Sequence, residues 1–370
     1  MSQLLSISSV FVSAMYIVLA IFVLLLMIMI HELGHYTAGK LLKFKINEFS
    51  IGFGKSIFQK TTKTGEKISL RLFPLGGYCA FEGEDEDGKD NPEAFNNQKP
   101  WKRAIVLFAG AFFNFVSAIL FSFIFLVSYG YNDKVVVSSL TAGAPGVAQL
   151  QVGDIIYGIN GEDTNFIYDR YFSKTIQNIG DSDEPITLSI IRNGEKLEVT
   201  VYKTLQLTDV LDSKGNQVLN EDGTVKQEYK MALGVTTTNY RYGFFEALGH
   251  CFTFTIGWAW KVLVVLWQMI TFQLNIKDLG GTVTTIVTIA EYTQLNFANL
   301  MLLLPLISVN LAVFNLLPFP ALDGARMVFV GIEGIRKKPI RRDVEGTIHF
   351  IGLVILLAFV VVVDILHFVL

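Results

Sequence analysis

A polytopic α-helical membrane protein with four transmembrane helices, a small membrane-associated β region and one β-rich extracytoplasmic domain is the architecture that this sequence predicts. Three observations predict it. Long apolar runs recur at 11–30, 104–129, 300–330 and 348–370, the first two without a charged residue, and each is long enough to cross a bilayer. Between the second and third runs, at about 132–233, charges return, β-branched residues dominate, and Gly and Asn mark turns. Hydrophobic residues make up 51% of the chain against 17% charged, and the net charge of -3 gives no basic surplus for nucleic acid.

In chain order, the first segment is 1–40. It lacks the basic leader and small-residue cleavage site of a signal peptide, so the first helix is expected to be retained. No Lys or Arg precedes Lys40, whereas 40–103 carries twelve, which puts the N-terminus outside and 41–100 in the cytoplasm. The first helix ends in Ile30-His31-Glu32-Leu33-Gly34-His35, an H-E-x-x-H pattern. His31 and His35, four residues apart, share one helix face and can hold one Zn²⁺, with Glu32 beside them as general base toward an activated water. Two structural histidines at a helix end would explain neither the spacing nor the intervening Glu.

Residues 46–81 alternate apolar and polar side chains around turns at Thr64-Gly65 and Gly76-Gly77, as a β-hairpin does. Its edge near Gly52, Phe53 and Gly54 is expected to lie open and to pair with an extended peptide. An acidic turn at 82–90 follows, and Trp101-Lys102-Arg103 marks the boundary of a second helix, 101–130, in which Asn114 is polar and Gly110-Ala111 are small. Residues 244–273 are apolar yet carry Glu246, His250 and Lys261. If they crossed, the basic loop Arg336-Lys337-Lys338-Pro339-Ile340-Arg341-Arg342 would face outward, so an amphipathic helix in the outer interface is expected instead. The third span, 297–333, is broken at Pro318 and Pro320 and places Asp323 within membrane depth, where a carboxylate requires a partner. Two His and one Asp leave a zinc ion a free position, the layout of a catalytic centre. The last span, 344–370, leaves the C-terminus outside. Cys79 and Cys251 fit no metal spacing.

Two resemblances sharpen this reading. Residues 131–235 contain Ala144-Pro145-Gly146 and Leu150-Gln151-Val152-Gly153-Asp154-Ile155-Ile156-Tyr157-Gly158-Ile159-Asn160-Gly161, which resemble a bacterial protease-associated PDZ domain, a module that binds extended peptides. The stretch at 211–226 reads as an added hairpin. H-E-x-x-H in a first span, Asn315-Leu316-Leu317-Pro318-Phe319-Pro320-Ala321-Leu322-Asp323-Gly324 in a later one, and this domain between them resemble the site-2 protease family of intramembrane zinc metalloproteases, in its bacterial RseP-like branch. The resemblance implies zinc on His31, His35 and Asp323, Glu32 as catalytic base, Asn310 and Asn315 near the scissile peptide, and Gly52-Phe53-Gly54 in a membrane re-entrant loop. Leu279-Gly280-Gly281-Thr282-Val283 matches a family stretch without its proline. The implied substrates are single-pass membrane proteins, either a pre-trimmed anti-sigma factor or signal-peptide remnants, cut in the lipid of a bacterial inner membrane. A membrane PDZ scaffold with a structural zinc is the alternative, and a zinc carrier a third. A structural or transported metal needs no base at Glu32.

Overall fold

The computed structural model describes residues 7–84, 91, 93–141, 147–164, 171–179, 184–210, 217–220, 222–274 and 280–369. The chain forms two compact units, one of residues Met1–Ile124 with Cys251–Leu370 and one of Phe125–His250.

The first unit is helical, with a small sheet. Its helices are α1 (Ile7–Leu41), α2 (Pro100–Ser128), α4 (Phe244–Ile270), α5 (Thr282–Leu295), α6 (Phe297–Leu316), α7 (Asp323–Arg336) and α8 (Arg342–Val369), α3 lying in the other unit. Among the described residues five helices are long and apolar enough to cross a membrane: α1, α2, α4, α6 and α8. Neighbour contacts fix their directions. His35 and His31 of α1 meet Val106 and Asn114 of α2, so those two run antiparallel. Ala20, Val23 and Met27 of α1 share a core with Leu300, Leu304 and Ile307 of α6, and His31 meets Asn315, so α1 and α6 run parallel.

Helix α4, expected in the outer interface, packs along another helix. Thr255 bonds Ser122 of α2 at 2.9 Å, and Val262, further along, packs with Ala118 and Val309. It therefore lies lengthwise and antiparallel to α2, and its Thr finds a partner on another helix rather than in headgroups. Because α4 and α6 point the same way, 271–296 must bring the chain back. Helix α5 lies within that stretch. Its N-terminal N–H groups are satisfied by Asp364 of α8, which accepts from Val283 N at 3.1 Å and from Thr284 N at 2.9 Å. A crossing by α4 would be cancelled by that return, so the expected orientation of the basic loop does not require an interfacial α4. The start of α2, the end of α7 and the start of α8 accordingly meet at one end. There Glu333 accepts from Arg103 at 2.5 Å and lies 3.2 Å from Arg342.

The β region consists of β1 (Ile46–Thr61) and β2 (Lys67–Phe81), and it is more than a hairpin. Glu48, Phe49, Ser50 and Ile51 pair on one side with 77–80 and on the other with 67–70, while 56–61 pairs with 67–71. The two bent strands make a four-stranded sheet with 46–51 in its interior, antiparallel to 77–80 and parallel to 67–70. The expected open edge near Gly52-Phe53-Gly54 is therefore not the edge beside the helices. That edge is the last part of β2, Gly77 to Phe81, whose Phe81 ring fills the space a side chain at Gly39 of α1 would need. Gly52 and Gly54, both at φ +84°, allow the bend that folds β1 back over β2.

The second unit is a β structure with one short helix. Strands β3 (Tyr131–Leu140), β4 (Ile155–Ile159), β6 (Ile186–Arg192), β7 (Glu195–Val201) and β10 (Val235–Tyr240) form an antiparallel sheet in the order β10-β3-β4-β6-β7, with β5 (Glu162–Asp163) on β4. Alternating side chains such as Val135, Val137, Leu188, Ile190, Val199 and Val201 build its core, and Phe172 of α3 (Phe172–Asn178) joins them. Residues 142–146, which carry the expected Ala-Pro-Gly step, lie outside the described residues, as do Leu279 and 85–90. Within the hairpin expected at 211–226, Leu219 bridges Val225 antiparallel, and longer strands flank it, β8 (Thr204–Asp209) pairing with β9 (Gln227–Ala232); residues 211–216 and 221 are also outside the described set.

Candidate active site

Helix α1 supplies the first two functional side chains, one turn apart and both buried. A close approach of α2 brings the site together. A side-chain carbon at Gly34 would stand 2.3 Å from the Ala109 carbonyl oxygen, and one at Gly110 would stand 2.4 Å from His35 Nε2 and 2.7 Å from His31 Cε1. Both helices must be bare at these points for the histidines to fit between them. The third side chain arrives from α7. Pro318 and Pro320 end α6, and Ala321 adopts φ +87°, a conformation held by its N–H donating to His349 Nδ1 at 3.0 Å. Asp323 then opens α7.

The three ligand atoms converge. His31 Nε2 lies 3.0 Å from Asp323 Oδ2, His35 Nε2 lies 3.2 Å from the same oxygen, and the two imidazole nitrogens are 3.1 Å apart. Ligands about 2.0–2.1 Å from a tetrahedral Zn²⁺ stand roughly 3.3 Å from one another, so this triangle has the dimensions and donor types of a zinc face. His35 Nδ1 donates to the Val106 carbonyl at 2.8 Å, which leaves its Nε2 lone pair for the metal. Arg326, which also borders the site, is paired with Glu84.

A cavity of about 670 Å³ opens on these atoms, lined also by Glu32, Tyr78, Cys79, Asn315 and Leu322. Glu32, half-buried, faces the backbone N–H of Cys79, and Phe81 N–H points to Glu84 Oε2 at 3.3 Å. The outward donors of the Gly77 to Phe81 edge thus border the cavity. Asn315 lines it with its amide 3.4 Å from His31 Nδ1. Asn310, Gly52, Phe53 and Gly54 do not line it. Sequence reasoning missed Tyr78 and Cys79, because register, not spacing, brings them there. It also missed that Gly110 and Asn114 abut the two histidines, although a Gly-x-x-x-Asn step on a charge-free span was a usable signal.

A helix-borne His pair, an Asp from a second helix and an adjacent Glu define a zinc metallopeptidase centre. The comparison with known families agrees: the pattern of Peptidase family M50 matches residues 19–359, and the chain belongs to that family, the site-2 proteases. It is 30% identical to "Putative zinc metalloprotease FN1322" of Fusobacterium nucleatum, across 94% of this chain and 96% of that one. It is also 30% identical to "Putative zinc metalloprotease CPE1693" of Clostridium perfringens, across 95% and 98%. This chain is a membrane metalloprotease that uses zinc.

Proposed function

We propose that the protein hydrolyses peptide bonds within transmembrane segments of other membrane proteins, with His31, His35 and Asp323 as metal ligands and Glu32 as general base. The observation that carries this is the convergence of Asp323 of α7 with His31 and His35 of α1, a helix of membrane-crossing length, with Glu32 lining the same cavity. Zinc, when bound, polarises the scissile carbonyl and lowers the pKa of water. Glu32 takes the proton from that water and delivers it to the leaving amine. Asn315, with its amide at the cavity wall, steadies the carbonyl oxygen as charge develops. A helical substrate hides its carbonyls, so it must be extended to be cut. The free edge at Gly77 to Phe81 receives it by strand addition, replacing the edge first expected at Gly52 to Gly54.

The β-rich unit is read as a single PDZ domain of the RseP-like kind, outside the cytoplasm of a bacterial cell, with both termini on its side of the inner membrane. There it excludes bulky untrimmed proteins, leaving a pre-trimmed anti-sigma factor or signal-peptide remnants as substrates. The test is cleavage of a model transmembrane peptide by purified, zinc-loaded protein. Wild type should cleave. Glu32→Gln should keep its zinc and lose turnover. Cleavage by Glu32→Gln at a rate near wild type would refute the role of Glu32.

A further inference from the structure

Asn114 sits on α2, fully buried, and does not line the catalytic cavity. Its amide lies 3.5 Å from His31 Nδ1, and its Oδ1 has no hydrogen-bond partner. The residue is pinned, because Ser117 and Ser308 hydroxyls each donate to its backbone carbonyl at 2.9 Å.

A neutral imidazole carries one proton. His31 presents an Nε2 lone pair to a metal only when that proton is on Nδ1, and a buried Nδ1–H then needs an acceptor. His35 has the Val106 carbonyl. His31 faces only side-chain amides there, those of Asn114 and Asn315. A half-turn about χ2 exchanges an amide's nitrogen and oxygen. Asn315 borders the cavity and is open to whatever the cavity holds, whereas the Asn114 oxygen is sealed from it and otherwise unused.

We infer that Asn114 is the positioning residue for His31. Its Oδ1 accepts the Nδ1 proton and fixes the tautomer that turns Nε2 toward zinc. This rests on the metal reading above, and the experiment separates the two.

Full-length protein in detergent is stripped of metal and titrated with Zn²⁺ against a chelating dye, and with Co²⁺ while the visible d–d bands are recorded. Asn114→Leu should weaken zinc binding about ten- to a hundredfold and alter the Co²⁺ bands. Asn114→Asp, whose carboxylate accepts the same proton, should restore affinity and spectrum toward wild type. Asn114→Ala makes the same comparison if Leu does not fit. Wild-type affinity in both the Leu and Ala variants would overturn the inference. Equal losses in the Asp and Leu variants would also overturn it, since that result marks a packing role. A loss confined to Asn315→Leu would move the role to Asn315 and overturn it likewise. Wild type that takes no zinc would refute the metal reading and this inference with it.

Discussion

Two aspartates, one in each unit, meet opposite kinds of partner: Asp154 is buried and Asp323 half-buried. Asp154 is 1% exposed and fully served by its own unit: Gln151 N–H donates at 2.8 Å, and Arg192 donates from Nε and Nη2 at 2.7 Å each. Burial pushes its carboxyl upward, but the guanidinium and that N–H outweigh it and hold it below the ordinary aspartate value. Asp323 meets two imidazole nitrogens instead, and Arg326 nearby is committed to Glu84. The positive charge that Arg192 gives Asp154 is, at Asp323, left for a metal to bring.

The sharpest way to break this comparison is to remove each partner. Asp323→Ala should lose zinc and all cleavage while the β-rich unit keeps its fold, as read by metal analysis and circular dichroism. Full zinc occupancy in that variant would strike Asp323 from the ligand set. Arg192→Ala should do the reverse, costing about 3 kcal/mol of stability by leaving Asp154 buried and unpaired, with zinc content unchanged. A coincident loss of zinc would mean that the two carboxylates do not differ as argued.

A smaller effect tests the strand edge. Phe81 N–H points away from β1, and the two-residue period of a strand turns Cys79 N–H the same way, toward the cavity. Cys79→Pro removes that donor and should lower kcat/KM about five- to a hundredfold, with zinc retained. Cys79→Ala keeps the N–H and should stay near wild type. Equal losses in the two would show that the thiol, not the backbone, matters there.

The smallest effect concerns pH. Glu66 is buried, which raises its carboxyl, but hydrogen bonds from Lys40, Thr64 and Tyr36 prevail and bring it down to about 2. Its folded value lies below its unfolded one, so its contribution is present in full above about pH 4.5 and fades as pH falls toward 2. Glu66→Gln should therefore lower the Tm at pH 7, and the gap from wild type should shrink as pH is taken down through that window. A gap independent of pH would rule out this ionic account.

The convergence of His31, His35 and Asp323 was legible because helix periodicity and proline breaks are local: His31, Glu32 and His35 lie within one turn and a half, and Asp323 follows two prolines in an apolar run. What supports those ligands was less legible. Gly110 and Asn114 read as ordinary packing residues until α2 is laid against α1, and His349 reads as one more residue of the last helix. The edge that borders the cavity was not legible, because alternation identifies strands but not their neighbours, and the bend at Gly52 and Gly54 gives 46–51 two partners each. The packing of helix α4 along α2 was not legible for a related reason. Its polar residues were weighed against headgroups, whereas Thr255 is satisfied by Ser122.

The shared direction of α4 and α6 limits what a label on the protein's outer or inner face can report. A detour that goes in and comes back leaves every later segment on the side it would have occupied without it. Reagents that reach only one face would give the same answer at Arg336 whether α4 lies along the surface or runs its full length beside α2. The informative position is the turn itself, at 271–274. A probe there reports the side: the outer face for a helix lying along the surface, the opposite face for one that runs its full length beside α2.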